Sequence, residues 1–340
     1  MPNYNCAWFI NFTGIGNGIT ITPLLQCFEK SYPTTEYFHS ENEILSDKWF
    51  IEKAGLKRLK GFSPITWRRF NREDWNKIVD FVNQNQIDLI VNLRNEGPKY
   101  DTGYYEFKRF LKQDHDVAFW DLDFNIIENR EKQENLAGDL LKMFQQQSVD
   151  ISHYEYRWLS VYGGEKSGIG FGMAASQKNK RWPTHKWVEL AQTILKNYDQ
   201  KIILFHGLSQ EETDQAIIEV QKNIGLSRCE LINHQELSHI AIMLGKLKCF
   251  ISNDTGLLHI CSATGTPTIG LYTSTDPDVW APYNKTNFLY RTNIFMEKCP
   301  ARKIYCGNCF HYYDSCPAIA QYGDSISPKQ VFELVKKMIV

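Results

Sequence analysis

Short apolar runs that end in polar turns are the clearest pattern in the second half of the chain. Residues 249–251 form such a run and predict a buried strand that stops at Ser252-Asn253-Asp254-Thr255-Gly256. Apolar residues then carry a helix as far as Gly265, and residues 268–272 predict another strand. Strand, turn, helix and strand form one parallel crossover unit. Because ligands bind outside the carboxyl ends of such strands, we expect the turn to face a site.

The turn itself has the residues of an anion site. Backbone amides around Thr255 and Gly256 begin a helix, where the helix dipole favours negative charge. His259 follows about one turn later and would add a donor or a positive charge to the same anion. A second interpretation stays open, in which Asp254 only caps the helix and His259 is a core residue.

The same alternation of strands and helices continues through the rest of the chain and predicts α/β domains with parallel sheets. The apolar runs predict strands at 6–12, 87–93, 118–124, 168–173 and 201–206. Amphipathic stretches predict helices at 19–30, 74–86, 138–147, 186–197 and 233–245, and further helices that start at 211 and 327. The 340 residues suffice for two domains, and the stretch near 155–166 has no clear period. We therefore expect domains at 1–160 and 161–326, followed by a C-terminal helix at 327–340.

Composition narrows the class of protein. Hydrophobic residues make up 43% and charged residues 23%, as in ordinary globular proteins, and the formal net charge is -1. Such a charge gives no general attraction to nucleic acid, so we expect no nucleic-acid partner. We find neither a membrane-length apolar run nor a secretory signal, and nine cysteines fit reduced thiols better than a disulfide framework. We therefore expect a cytoplasmic protein.

Two stretches of the first half are candidates for binding. Gly14, Gly16 and Gly18 follow the first strand and permit a close approach to a ligand, although a purely structural turn fits equally well. Residues 53–72 hold seven cations and no acid, which is typical either of a solvated face or of a patch for a phosphorylated or carboxylated acceptor. In the second interpretation Trp67 rests on a sugar or at a membrane surface. The candidate acceptor-binding cations are Lys57, Arg58, Lys60, Arg68 and Arg69.

Three further features of the second half carry chemistry. Ser176 and Lys180 lie just before Trp182-Pro183 and a predicted helix, which again indicates an anion. Glu211 begins the next helix, where it either matches the helix dipole or contacts a ligand. Near the C-terminus, four cysteines are spaced C-x6-C-x2-C-x6-C, which suits either a tetrahedral metal site or free thiols. These cysteines are Cys299, Cys306, Cys309 and Cys316.

Taken together, KNKRWPTHKWVELA, FHGLSQEE and SNDTGLLHICSATGTPTIGLYTSTDP closely resemble the heptosyltransferase family, glycosyltransferase family 9. The resemblance covers nearly all of residues 168–340 and includes CGNCFHYYDSCP and SPKQVFELV. It is weaker over the first half, where NFTGIGNGITITPLL and the basic stretch carry it. The resemblance implies the GT-B architecture, with two Rossmann-like domains facing a central cleft and a C-terminal helix that returns to the N-terminal domain.

The resemblance also implies roles for individual residues. Ser176 and Lys180 match residues that contact the donor diphosphate, and Glu211 matches a carboxylate that reaches the nucleoside or sugar. Asp254, Thr255, Gly256 and His259 match the sugar-diphosphate motif. Gly16 and the position of Asn17 match the acceptor side of the family site. Lys180 would stabilise the departing diphosphate, so that no metal cofactor is required for catalysis.

One position departs from the family pattern. The family commonly has an aspartate as catalytic base after the first glycine turn, and this chain has Asn17, whose amide cannot accept a proton. Glu96 and Asp101 are our substitutes for the base. The resemblance implies transfer of heptose from ADP-heptose to inner-core lipopolysaccharide at the cytoplasmic face of the inner membrane. Two alternatives stay open: a related transferase acting on a protein or other glycan, and an inactive sugar-nucleotide-binding homologue. The cysteine cluster would hold a structural zinc or iron.

Overall fold

The computed structural model describes residues 3–11, 14–41, 44–63, 72–93, 103–121, 135–207, 211–233, 236–273, 275, 277–283, 288–291 and 326–339. For residues 136, 211–212, 278–279 and 288–291 it describes the backbone alone. The chain divides into two units, Met1–Glu155 and Tyr156–Val340. This division falls inside the stretch near 155–166 where the sequence shows no clear period.

The first unit contains a parallel sheet of five strands within the described residues. Its elements are β1 Cys6–Ile10, α1 Ile15–Ser31, β2 Glu36–His39, α2 Lys48–Ala54, β3 Leu59–Phe62, α3 Trp75–Gln84, β4 Leu89–Asn92, α4 Tyr104–Asp114, β5 Ala118–Trp120 and α5 Leu136–Gln146. The strand order is β3-β2-β1-β4-β5. Every residue of the central strand β1 is buried, which explains why its sequence is a continuous apolar run.

The core of the first unit lies on both faces of β1. Successive strand residues point to opposite faces, so Trp8 packs against Phe81 of α3 and Phe9 packs against Phe28 of α1. Their ring centroids are 5.5 Å and 4.9 Å apart. Aromatic pairs of this kind fix where the helices lie on the sheet.

Helix α1 begins at Ile15, four residues earlier than the sequence pattern predicts. Gly14 precedes it with φ 138°, a backbone conformation that favours glycine. Gly16, Asn17 and Gly18 therefore lie in the first helical turn and not in a loop before it. Glycine is a poor helix former, which is why the pattern of residues placed the start too late.

The second unit contains a parallel sheet of six strands within the described residues, in the order β11-β10-β9-β6-β7-β8. Its elements are β6 Ile169–Gly172, α6 Thr184–Asn197, β7 Ile202–Phe205, α7 Glu211–Ile224, β8 Cys229–Ile232, α8 Leu237–Gly245, β9 Cys249–Asn253, α9 Gly256–Ala263, β10 Thr268–Tyr272, α10 Pro277–Trp280, β11 Phe288–Arg291 and α11 Pro328–Ile339. The predicted crossover unit is confirmed as β9, α9 and β10, with β9 and β10 paired in parallel.

The C-terminal helix α11 completes the core of the second unit. Val331 and Val335 are fully buried there, and the ring of Phe332 lies 6.1 Å from that of Tyr198. Just before the helix, the carbonyl of Ile326 accepts hydrogen bonds from Trp182 Nε1 at 3.0 Å and Lys186 Nζ at 3.1 Å. These contacts join the helix to the second unit, and the expected return of this helix to the N-terminal domain stays a prediction.

Candidate functional site

The candidate site lies where the strand order of the second sheet reverses. From β6 the chain proceeds outward to β7 and β8, and it then returns to the other side of β6 to form β9, β10 and β11. Strands β6 and β9 are neighbours, with Gly172 opposite Ser252. Ligands of open α/β sheets bind at such a switch point, outside the carboxyl ends of the strands. The loop after β6 and the turn after β9 therefore meet at one place.

A buried ion pair joins these two segments. Lys180 Nζ lies 2.9 Å from Asp254 Oδ2, and their side chains are 19% and 8% exposed. Thr275 Oγ1 donates a second hydrogen bond to the same oxygen at 2.8 Å. Burial alone would raise the pKa of Asp254, but the adjacent Lys180 and these hydrogen bonds outweigh it and lower the pKa below the usual value. The carboxylate is therefore ionised at neutral pH, and it holds the Lys180 ammonium at the switch point.

Asn253 attaches the loop after β6 to the end of β9. Its amide nitrogen donates to the carbonyl of Met173 at 2.7 Å, and its amide oxygen accepts from the backbone N–H of Trp182 at 3.0 Å. Asn253 is fully buried. The loop that carries Ser176 and Lys180 is thus held at both ends. The sequence pattern places this asparagine in the turn but indicates no role for it.

The N-terminus of α9 points donors into the same place. Thr255 precedes the helix with an extended backbone (φ -147°), and the first bond of the turn runs from Leu258 N to Thr255 O at 3.1 Å. The amides of Gly256 and Leu257 come before that bond, so they lack helical acceptors. No acidic residue lies in the first turn to compete for them. These amides and Lys180 together suit a diphosphate-like anion.

His259 is uncharged at neutral pH. Burial is the largest influence on its ring and lowers the pKa to about 4, against the opposing effect of Asp254. Its Nδ1 lies 2.8 Å from the hydroxyl of Tyr156. The positive charge that the sequence analysis allowed at this position is therefore not supplied by His259, and its role in binding stays a prediction.

Other predicted residues of the second unit differ in how far the structure describes them. Ser176 is exposed in the loop after β6, on the same segment as Lys180. Glu211 is the first residue of α7, and its side chain lies outside the described atoms. The four cysteines Cys299, Cys306, Cys309 and Cys316 lie outside the described residues. Within the described part of the chain, no group of His, Cys, Asp or Glu side chains suits a metal ion.

In the first unit, the predicted acceptor residues do not all lie together. Gly16 and Asn17 are in the first turn of α1. The backbone amides of Lys57 and Arg58 instead bond to the Glu29 carboxylate near the other end of that helix, each at 2.9 Å. Glu29 comes twelve positions after Asn17 in the helix, which is roughly 18 Å at 1.5 Å per residue. The structure therefore separates Lys57 and Arg58 from Asn17.

Lys60 lies with these two cations and not with Asn17. It is in β3 and forms a 2.8 Å ion pair with Glu36, the first residue of β2. Because the strands are parallel, this pair lies towards their amino ends, whereas sites form at the carboxyl ends. Arg68, Arg69, Glu96 and Asp101 lie outside the described residues.

Among the described helices, none combines the length and the apolar character needed to cross a membrane.

Two consecutive Rossmann-like parallel sheets, the second with a candidate anion site at its switch point, are the architecture of the GT-B class of α/β proteins. The family model for glycosyltransferase family 9 (heptosyltransferase) matches residues 105–306, and the chain belongs to this family. This confirms the family that the motifs indicated.

Individual proteins show how far the similarity extends. Lipopolysaccharide heptosyltransferase 2 of Salmonella typhimurium is 28% identical over 116 residues, which are 34% of this chain and 32% of that protein. The chain thus matches about a third of the length of this curated relative. Two solved structures share the fold over almost the whole chain. They are a family 9 glycosyl transferase from Veillonella parvula (TM-score 0.70, 18% identity, 100% and 98% of the two chains covered) and E. coli ADP-heptose lps heptosyltransferase II (TM-score 0.64, 16% identity, 98% of each chain covered).

Proposed function

We propose that the chain is an inverting glycosyltransferase that moves heptose from ADP-heptose to an anionic saccharide acceptor of the inner-core lipopolysaccharide type. The observation that carries this proposal is the Lys180–Asp254 pair beside the N-terminus of α9. Family membership supplies the donor and acceptor classes, since the S. typhimurium relative is a lipopolysaccharide heptosyltransferase.

The chemistry follows from where charge develops. When the anomeric carbon leaves its phosphate, negative charge builds on the ADP diphosphate. Lys180 Nζ carries three N–H donors, one of which is directed to Asp254, so two can bind phosphate oxygens. The amides of Gly256 and Leu257 add fixed dipoles. Preorganised groups of this kind stabilise a leaving diphosphate without a metal ion.

The acceptor hydroxyl also has to lose a proton, and the first turn of α1 contains no acidic residue that could take it. We propose Glu96 or Asp101 as the base, because both follow the strand β4, which lies beside β1 in the sheet. Arg68 and Arg69 remain the proposed cations for the acceptor, since Lys57, Arg58 and Lys60 lie towards the other end of the sheet. An acceptor anchored in a membrane would bring the protein to the cytoplasmic face of the inner membrane.

The decisive experiment measures ADP release from ADP-heptose in the presence of a lipopolysaccharide acceptor that lacks heptose. Lys180→Gln removes the charge that meets the diphosphate, and we expect the rate to fall about a hundredfold. Lys178→Gln, in the same short helical turn, is the matched control and should retain the wild-type rate. Wild-type protein that neither binds ADP-heptose nor releases ADP from it would contradict the proposal.

Asn17 favours a second candidate function, a homologue that binds a sugar nucleotide but does not turn it over. It also leaves open a related transferase whose acceptor is a protein or a different glycan. An amide at the position of the family's base cannot accept the acceptor proton. Asn17→Asp restores the carboxylate and separates the candidates. Activity that appears only in Asn17→Asp would favour the inactive homologue, whereas wild-type turnover that is lost in Glu96→Gln or Asp101→Asn would favour the enzyme. Intact-mass measurements on candidate protein acceptors would identify transfer to a protein.

A further inference from the structure

Tyr156, the first residue of the second unit, reaches directly into the candidate donor site. Its hydroxyl lies 2.8 Å from Nδ1 of His259 in the first turn of α9, although the two residues are 103 positions apart. Tyr156 is only 2% exposed. The sequence around it has no clear period, so nothing in the pattern of residues indicated this contact.

The contact with Tyr156 bears on which nitrogen of the neutral His259 ring carries the hydrogen. A neutral imidazole has one donor nitrogen and one acceptor nitrogen. The backbone of Trp280 makes a hydrogen bond that favours the protonated ring, so the ring is the donor towards Trp280. With Nδ1 facing Tyr156, the tautomer that fits both contacts has the proton on Nε2, and in this tautomer the tyrosine hydroxyl donates to Nδ1.

The segment that begins with Tyr156 also holds the far end of the same helix. The backbone N–H of Leu159 donates to the carbonyl of Ala263, the last residue of α9, at 3.0 Å. Residues 156–159 therefore run beside α9 and bond to its first and last turns. The eight-residue helix is too short to be stable alone, so its orientation depends on such contacts.

We propose that Tyr156 is a positioning residue of the donor site, which acts through His259 to orient the first turn of α9 so that the amides at Gly256 meet the donor diphosphate. This inference rests on the proposed function, because it assigns a role within the same site. It gives His259 a structural task that its neutral ring can perform: the ring links Tyr156 to the backbone of Trp280, next to the Lys180–Asp254 pair.

The test combines ADP affinity with a spectroscopic readout of the ring. Tyr156→Phe keeps the aromatic ring and removes the hydroxyl, and we expect about fivefold weaker ADP binding by calorimetry. Tyr162→Phe is the matched control, because its hydroxyl donates to the carbonyl of Glu165 instead. In protein labelled with ¹⁵N, the ring nitrogens of His259 are assigned by their loss in His259→Gln. Wild type should show the single tautomer with hydrogen on Nε2, and Tyr156→Phe should show a mixture.

The double variant Tyr156→Phe/His259→Gln shows whether the two side chains act as one unit. If Tyr156 acts through His259, the double variant should bind ADP no more weakly than His259→Gln alone. An unchanged affinity and an unchanged tautomer in Tyr156→Phe would overturn the positioning role, and so would a fivefold loss that persists in the His259→Gln background. Wild-type protein that binds no ADP would instead contradict the proposed function, so the two failures are distinguishable.

Discussion

At the scale of single residues, the Lys180–Asp254 pair combines a functional position with a structural dependence. Both side chains are mostly buried, and attraction between such charges is offset by the cost of taking them out of water. The pair is therefore a weak source of stability by itself. Removing one member of the pair is destabilising, because it leaves the other charge buried without a partner.

We predict that Asp254→Asn lowers the free energy of unfolding by about 3 kcal/mol, because Lys180 then lacks its counter-ion. Urea denaturation measures this change. Glu333→Gln, which removes a surface ion pair with Lys336, is the control and should cost less than about 0.5 kcal/mol. Because the pKa of Asp254 is lowered in the folded state, its contribution is present above about pH 4 and is lost as the pH falls further. Equal effects of the two substitutions would contradict the burial argument.

A second residue-scale prediction concerns His39 at the end of β2. The ring is fully buried and stacks on Phe9, and burial lowers its pKa to about 4. The unfolded chain binds the proton more readily, so stability is complete above the ordinary pKa and falls as the pH decreases from about 6.5 to about 4. We expect His39 to reduce the free energy of unfolding by about 2 kcal/mol at about pH 5 relative to about pH 8. His39→Phe keeps the stacking without a titrating group. A pH response of the same size in His39→Phe would assign it to other groups.

These residue-scale relations differ in how visible they are in the sequence. Lys180 and Asp254 were expected to share a site, because the family resemblance assigns both to the donor diphosphate. The partners Thr275 and Tyr156 were missed, because they come from segments whose local pattern says nothing about where they pack. The neutral state of His259 also follows from burial, which spacing along a helix cannot show.

At the scale of elements, the close approach of β6 and β9 depends on glycine. A Cβ atom at Gly172 would lie 2.4 Å from Ser252 Oγ and 2.7 Å from Phe250 Cζ. Such distances force these side chains, or the strand that carries them, to move. The loop with Lys180 follows β6 and the turn with Asp254 follows β9, so a displacement of the strand would disturb the candidate anion site.

We predict that Gly172→Ala destabilises the second unit by about 2 kcal/mol and weakens ADP binding. Gly61→Ala in β3 is the matched control, because its Cβ would lie 3.8 Å from Phe38, an ordinary contact. Thermal unfolding and ADP titration check both effects. The second substitution Ser252→Gly should restore part of the loss, and a failure of Gly172→Ala to differ from Gly61→Ala would contradict the close-packing argument.

Several elements escaped prediction for reasons of length and exposure. The strands β2, β3 and β8 are four residues each and only partly buried, so they present no apolar run. Helix α4 lies in a stretch that is rich in charged and aromatic residues. The buried residues of this helix are Tyr104, Phe107 and Leu111 alone. By contrast, the fully buried strands β1, β4, β6, β7, β9 and β10 were all expected. Continuous burial on both faces is what a sequence records most clearly.

At the scale of the whole molecule, the sequence predicted the α/β class and two sheets, because strand and helix patterns repeat in both halves. Its motifs predicted the family. It did not predict the contacts that the C-terminal helix makes within the second unit. The apolar stripe of that helix requires a partner but does not specify one. The buried contacts of Val331 and Val335 in the second unit supply the partner.

The nine cysteines allow a molecule-wide test of the metal prediction. Cys6, Cys27, Cys249 and Cys261 are buried, and burial raises the pKa of Cys6 and Cys27 to about 11 and that of Cys249 to about 12. Because the thiolate is the reactive form, these thiols should react slowly in the folded protein. Cys229 is only half-buried, so among the described cysteines it should react first.

We therefore predict that the number of thiols that react fast with a thiol reagent in native protein depends on whether Cys299, Cys306, Cys309 and Cys316 hold a metal ion. With a bound zinc or iron, only Cys229 should react fast with a thiol reagent, and a chelator should then expose the four cluster thiols as well. Elemental analysis identifies the metal, and Cys229→Ser removes the single fast signal as a control. Five fast thiols before any chelator is added would mean that the cluster holds no metal. In that case the spacing of these cysteines has to be explained by the packing of free thiols.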